Sequence, residues 1–470
     1  MVFNSIFFIF CFLPVFMLIY YLVPGKLRNL LLFLGNLIFY AWGEPVYVIL
    51  MLFSSIFNYY MGTELERLYY DDRKQKINLI FSIIVNLGIL VFFKYYGFLL
   101  NTIGGITGIH IPHPELSLPI GLSFYTFRNL SYLFDIYLSK VSAQRNFLTF
   151  AVYSTMFPYT SAGPIVRYTD IETQLKQRTI NISKFGIGAE LFVKGLAKKV
   201  LLADNLSVLY SSICGHPQMS VFTSWLGILA YTMQLYFDFS GYSDMAIGLG
   251  KMLGFDFNKN FDSPYKSASI TEFWRRWHIS LSSWLKDYLY ISLGGNRKGK
   301  IRQYANLIIT MFLGGLWHGA SWNFVVWGLF HGIALAAHKF WMMLTGRKKG
   351  EESHGIRRFF GILITFHFVC FCWIFFRNAD FSTSLDMIKQ ICTTFRPQLF
   401  PQLIAGYWEV FALMALGFFL HFCPDRWENA CCKTVIRLPL MGKAVLMLAL
   451  IYLVIQMKST EIQPFIYFQF

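Results

Sequence analysis

Charge is what this 470-residue chain has little of: Asp, Glu, Lys and Arg make up 14% of it, where a soluble protein carries about a quarter. The shortage excludes an ordinary soluble enzyme. The apolar stretch from Met1 to Val23 lacks both the basic start and the A-x-A-like cleavage site of a secretory leader, so it reads as a retained span. None of the eight cysteines (Cys11, Cys214, Cys370, Cys372, Cys392, Cys423, Cys431, Cys432) forms a C-x-x-C pair. They read as small apolar fillers, without a disulfide framework or a zinc site. A G-x-S-x-G elbow, a Walker A loop, an H-E-x-x-H helix and a Rossmann glycine pattern are also missing, which disfavours serine-triad hydrolysis and ATP-driven transport.

What is present is apolar: 56% hydrophobic residues and 19% aromatics, with 50 Phe and 27 Tyr. Apolar runs recur along nearly the whole length, and a span needs ~20 such residues. Only helices or closed barrels satisfy every backbone group in hydrocarbon, and these runs are too long for barrel strands. The fold class is therefore all-α, a polytopic integral membrane protein. The net charge of +16 sits in clusters between the runs: Lys26/Arg28, Arg73/Lys74/Lys76, Arg297/Lys298/Lys300 and Arg347/Lys348/Lys349. That is the positive-inside pattern, and no stretch offers an element that reads a nucleic-acid groove.

One membrane domain covers 1–470. Residues 1–115 hold N-terminal spans (Met1 to Val23, Leu27 to Ala41, Val46 to Leu65, Ile77 to Leu100), and 346–470 hold C-terminal spans near 359–376, 403–422 and 440–455. Residues 116–345 are the expected catalytic core. From Leu116 to Tyr265, Pro119, Pro158, Pro164 and Pro264 with Gly121, Gly163, Gly241 and Gly254 interrupt short apolar stretches, which predicts broken helices around a wet interior. The alternation of charged loops places both termini outside the cell.

Ionisable groups inside apolar segments are costly, so each carries a functional hypothesis. In Gly314-Gly315-Leu316-Trp317-His318-Gly319-Ala320-Ser321-Trp322 the flanking glycines give a small substrate access to the imidazole, the side chain best suited to proton transfer near neutral pH. The plainer alternative is a core histidine bonded to a carbonyl. His331, thirteen residues on, points to nearly the opposite face of a continuous helix and reads as structural. In Ile270 to Leu293, helical spacing gives an aromatic stripe (Phe273, Trp277, Leu281, Trp284, Tyr288) and a polar one (Thr271, Arg275, His278, Ser282, Lys286), with Asp287 beside them. Either this is an interfacial helix anchored by Trp and Arg, or the polar stripe faces a cavity where His278 joins His318. At the C-terminus, Phe465 to Phe470 are apolar or aromatic in five of six positions. They form an aromatic belt or a tail folded into a cavity, where the Tyr467 phenol becomes a nucleophile if a base takes its proton.

These segments resemble the membrane-bound O-acyltransferase (MBOAT) family, in its bacterial branch of alginate O-acetyltransferases. The stretches that carry the likeness are LPIGLSFYTFRNLSYLFDIY (Leu118 to Tyr137), AGPIVRY (Ala162 to Tyr168), QLYFDFSGYSDMAIGLGKMLGF (Gln234 to Phe255), FWRRWHISLSSWLKDYLYISLGGNR (Phe273 to Arg297), GLWHGASWNFVVWGLFHG (Gly315 to Gly332), WIFFR (Trp373 to Arg377) and the terminal FIYFQF. The resemblance implies roughly 11–13 membrane helices with re-entrant or broken segments around a central tunnel. It implies that His318 and His278 are catalytic and that Arg275, Trp277, Asp287, Trp317 and Asn323 line the substrate path. It also implies acetyl-CoA as donor, with no bound cofactor or metal, and transfer across a bacterial plasma membrane to an extracytoplasmic SGNH-type transferase acting on an exported polysaccharide. The FIYFQF tail is similar to the end of a small partner peptide in the related D-alanylation system, which implies Tyr467 as an acyl relay. The GGNR of Gly294 to Arg297 favours the acetyl branch over D-alanyl transfer from a carrier protein. A transporter with a histidine proton relay is the competing class, and it predicts inverted repeats that the sequence does not display.

Overall fold

The computed structural model describes the chain except residues 110, 115, 215–219, 349, 352, 379, 425, 428–429, 431–433, 436, 458–464 and 466–470. Its regular elements are helices, and they pack into two compact units, Met1–Phe192 with Met245–Asn258, and Val193–Asp244 with Lys259–Phe470. The expected core segment 116–345 contributes to both.

In the first unit, helices α1 (Leu13–Leu22), α2 (Arg28–Gly43), α3 (Val48–Arg67), α4 (Asp72–Thr107) and α5 (Leu122–Tyr137) are followed by the shorter α6 (Phe147–Thr155), α7 (Phe157–Thr160) and α8 (Tyr168–Lys176), and α9 (Ile182–Ala197) begins here. Asp71 starts α4 by accepting the Lys74 N–H at 3.0 Å. Gly121 starts α5 at φ 75, where a Cβ would lie 2.2 Å from the Thr160 carbonyl oxygen, so only glycine fits. Amide and hydroxyl side chains then bind these helices together. Asn58 and Asn86 exchange hydrogen bonds of 3.0 and 2.8 Å, while Asn129 donates to Ser54 Oγ at 3.0 Å and accepts from Ser154 at 3.0 Å. Such bonds average about 0.6 kcal/mol in membrane bundles, so the network specifies register more than it stabilises. Of the cysteines read as apolar fillers, Cys370 and Cys372 are buried, whereas Cys11 and Cys392 are exposed and Cys423 is half-buried.

The second unit contains α10 (Asp204–Cys214), most of α11 (Val221–Met252), α12 (Ile270–Arg276), α13 (Ile279–Trp284), α14 (Lys300–His318), α15 (Trp322–Leu344), α16 (Gly355–Arg377), α17 (Phe381–Thr393), α18 (Leu399–Gly406), α19 (Trp408–Phe422) and a last helix, Leu440–Met457. Among the described residues, α3, α4 and α16 are long and apolar enough to cross a membrane, and Phe8–Leu22, Trp408–Phe422 and Met441–Leu453 are shorter apolar helices.

Three expectations are corrected. Gly241 does not interrupt a helix, because α11 runs unbroken through it; instead it permits close packing, since a Cβ there would lie 2.7 Å from the Gly195 carbonyl oxygen. The segment from Ile270 is not one amphipathic helix: it breaks at His278, which adopts φ 43, ψ 57 in the left-handed region. The continuous helix assumed through His318 and His331 is likewise two helices, α14 and α15, hinged at extended Gly319 and Ser321. His318 and His331 therefore belong to different helices, and the opposite-face argument separating them does not apply.

Candidate active site

The hinge between α14 and α15 exists because glycine stands wherever the two helices meet. A Cβ on Gly315 would lie 2.3 Å from the Phe324 carbonyl oxygen, one on Gly328 2.4 Å from the Met311 carbonyl oxygen, and one on Gly319 1.9 Å from the Phe324 ring. Any side chain there forces the hairpin apart. The close approach leaves His318, the last residue of α14, buried at 4% exposure. Its ring is walled by Trp317 at 5.0 Å, Trp327 at 5.1 Å and Phe376 at 5.2 Å between centroids.

His278 faces this wall. It is fully buried, its ring lies 6.5 Å from that of His318 and 6.1 Å from that of Trp317, and Phe239 meets it edge-on at 4.7 Å. The left-handed backbone at His278 costs about 1–3 kcal/mol in a non-glycine residue, and a polar clamp holds it. Ile279 N–H donates to the Asn260 carbonyl at 2.9 Å, and Ser280 donates to Asn260 Oδ1 through its N–H at 3.1 Å and its hydroxyl at 2.9 Å. Those donors fix which end of the Asn260 amide is oxygen, and its Nδ2 donates to Ser243 Oγ at 3.1 Å. His278 Nδ1 approaches the same Oδ1 at 3.3 Å. Facing an acceptor, Nδ1 carries the proton and Nε2 the lone pair.

The other expected site residues divide. Trp317 joins the histidine pair, and Trp277 is buried with Phe261 edge-on and Trp373 tilted against it, each at 5.1 Å. Asn323 is buried, but its amide is taken by the Asn378 carbonyl at 2.8 Å and by the Ser384 hydroxyl at 3.3 Å, so it clamps α15 to the ends of α16 and α17. Arg275 is exposed at the end of α12. Asp287 is half-buried, 3.8 Å from Lys286 Nζ. The aromatic stripe is buried throughout and faces protein, whereas Arg275 and Lys286 of the polar stripe point outward. His331 accepts a 3.3 Å hydrogen bond from Trp274 Nε1. Tyr467 lies outside the described residues. Phe465, two positions before it, is buried against Phe239 at 5.6 Å and Tyr242 at 4.7 Å, so one ring links this tail residue to His278.

Sequence reasoning missed Asn260, a lone amide in a loop, and Trp327, which hydropathy cannot tell from a wall residue. It also missed a buried ionic cluster in which Lys199 Nζ lies 2.8 Å from Asp204 and 2.9 Å from Asp238. Charges within apolar runs were the available signal for that cluster. Two open cavities, about 580 Å³ at Glu66 and Glu172 and about 610 Å³ at Lys298 and Arg302, involve none of the histidine site.

A model of the membrane-bound O-acyltransferase family matches residues 33–379. Among characterised proteins, the chain is 38% identical to the "Probable alginate O-acetylase AlgI" of Pseudomonas putida over the whole of both chains. It is 36% identical to the "Peptidoglycan O-acetyltransferase" of Helicobacter pylori over 83% of this chain and 79% of that one. With the "Teichoic acid D-alanyltransferase" of Bacillus subtilis it shares 28% identity over 58% of this chain and 71% of the relative.

Proposed function

The chain belongs to the membrane-bound O-acyltransferase family, and from that membership we propose that it carries acetyl groups from cytoplasmic acetyl-CoA across a bacterial plasma membrane. The acceptor is an exported or cell-surface polysaccharide, reached through an extracytoplasmic SGNH-type transferase, and both chain termini lie on that outer side. The single observation that carries the chemistry is the buried pair of imidazoles, His278 and His318, with centroids 6.5 Å apart inside one aromatic wall. His318 is the general base. It removes the proton of the attacking hydroxyl as that oxygen bonds to the thioester carbonyl carbon, then returns the proton to the departing thiolate sulfur. His278 orients the reactants. The surrounding rings keep water from competing for the thioester. The relatives named as O-acetyl enzymes cover more of the chain at higher identity than the D-alanyl relative does, which supports acetyl over D-alanyl transfer.

Tyr467 is the relay nucleophile in this reading. Support comes from Phe465, two positions before it, which packs on the ring that also touches His278. General-base assistance of this kind contributes about 10²–10⁴-fold, so His318→Ala in purified, folded protein is expected to lower acetyl-CoA turnover by that factor. Undiminished turnover contradicts the assignment. In the same assay Tyr467→Phe separates a relay from direct transfer, because it removes one oxygen and abolishes only the relay.

A further inference from the structure

The tetrahedral intermediate of acyl transfer places negative charge on the former carbonyl oxygen, and a donor must meet it. His278 is not that donor: its Nδ1 lies 3.3 Å from Asn260 Oδ1, which takes the Nδ1 proton and leaves Nε2 with the lone pair. His318 is occupied with the proton of the nucleophile. A different donor stands beside it. Trp327, on α15, is 1% exposed, and its ring meets that of His318 edge-on at 5.1 Å. Its indole Nε1–H is buried and has no hydrogen-bond partner among the described residues. Leaving such a donor unmade costs about 1–3 kcal/mol. The ring itself is held firmly, stacked on Trp373 at 5.9 Å and 18° and packed edge-on to Phe376 at 5.3 Å.

The geometry points to Trp327 as a further catalytic residue, whose Nε1–H binds the thioester carbonyl oxygen and the oxyanion formed from it. This rests on the acyl-transfer reading above. As the hydroxyl of the nucleophile attacks, its O–H proton passes to His318, a C–O bond forms, and the carbonyl π pair moves onto the oxygen facing Nε1–H. When that pair reforms the C=O bond, the C–S bond breaks and the sulfur leaves with the proton from His318. Bonds made and broken balance without any redox partner. A rigid indole is suited to the task because its N–H needs no reorganisation at the moment the charge appears.

Trp327→Phe removes the N–H and keeps an aromatic ring, and the test is steady-state acetyl-CoA turnover by the full-length chain in detergent together with its thermal unfolding. The inference expects kcat to fall about 10²–10³-fold, the loss seen when one oxyanion donor is removed. It expects KM to move little and the melting temperature to fall only modestly, because the lost unsatisfied donor offsets part of the cavity a smaller ring leaves. Turnover at the wild-type kcat, in a preparation where His318→Ala is inactive, overturns the inference. If His318→Ala is itself fully active, it is the acyl-transfer reading that fails. Should the phenylalanine variant not fold, benzothienylalanine at position 327 keeps the bicyclic shape and puts sulfur in place of N–H. The same fall in kcat supports the inference there, and an unchanged kcat overturns it.

Discussion

At the scale of single residues, the site depends on where protons sit, and Asn260 decides this for His278. Its Oδ1 accepts from the Ser280 N–H at 3.1 Å, which fixes the amide and presents an acceptor to Nδ1 at 3.3 Å. Asn260→Ala releases the imidazole to either tautomer and to reorientation, and misplacement by about 1 Å can cost 10²-fold in rate. We therefore expect a loss of that order in kcat with KM little changed, and recovery of most of it in Asn260→Asp, which keeps an acceptor oxygen in place. A purely structural role predicts the opposite ordering: a carboxylate buried beside the rings would harm the fold more than alanine, and a kcat lower in Asn260→Asp than in Asn260→Ala would show it. Sequence singled out His318 by its glycine-flanked motif and His278 by its polar stripe and the FWRRWHISL stretch, and the fold brings the two rings to 6.5 Å. Asn260 was not, because nothing in the spacing of residues 260 and 278 tells that a left-handed histidine folds the chain back onto the loop.

At the scale of elements, sequence patterning located the helices and failed at their breaks. Periodicity continues across His278 and across Gly319 because side-chain polarity does not record a backbone dihedral, so two hinged pairs read as single helices. Gly241 misled in the other direction: glycine weakens a helix by about 1 kcal/mol relative to alanine, yet α11 keeps it for the contact with the Gly195 carbonyl. The same logic gives a sign-reversing test. Gly88 of α4 has open space around it, so Gly88→Ala should leave stability unchanged or raise it by up to about 1 kcal/mol. Gly328→Ala places a Cβ 2.4 Å from a backbone oxygen of α14, and overpacking of that kind costs about 1–3 kcal/mol. Thermal unfolding in detergent should rank Gly328→Ala below wild type and Gly88→Ala at or above it. Equal melting temperatures for the two variants would show that the α14–α15 contact does not hold the hairpin. Because His318 closes that hairpin, Gly328→Ala should lose activity as well.

At the scale of the whole molecule, the shortage of charge has a direct structural counterpart. On α4, Ile77, Ile80, Phe81 and Ile84 form an exposed stripe at helical spacing, while Gln75, Ser82 and Asn86 are buried. That inverts the amphipathy of a soluble helix and is what lipid as solvent requires. One buried charged cluster is compensated internally: Lys199 lies between Asp204 and Asp238, and removing one member of such a buried set costs about 3–5 kcal/mol. In the proposed function, an enzyme built this way keeps a thioester dry and passes its acyl group from one side of a bilayer to the other. The measurement that tests this most directly uses proteoliposomes holding the polysaccharide and its extracytoplasmic transferase inside, with radiolabelled acetyl-CoA added outside to the protein inserted cytoplasmic face outward. The account predicts that label accumulates on the enclosed polysaccharide with the wild-type chain and stays at background with His318→Ala. Label that never reaches the lumen with the wild-type chain, or that reaches it equally with His318→Ala, would contradict it.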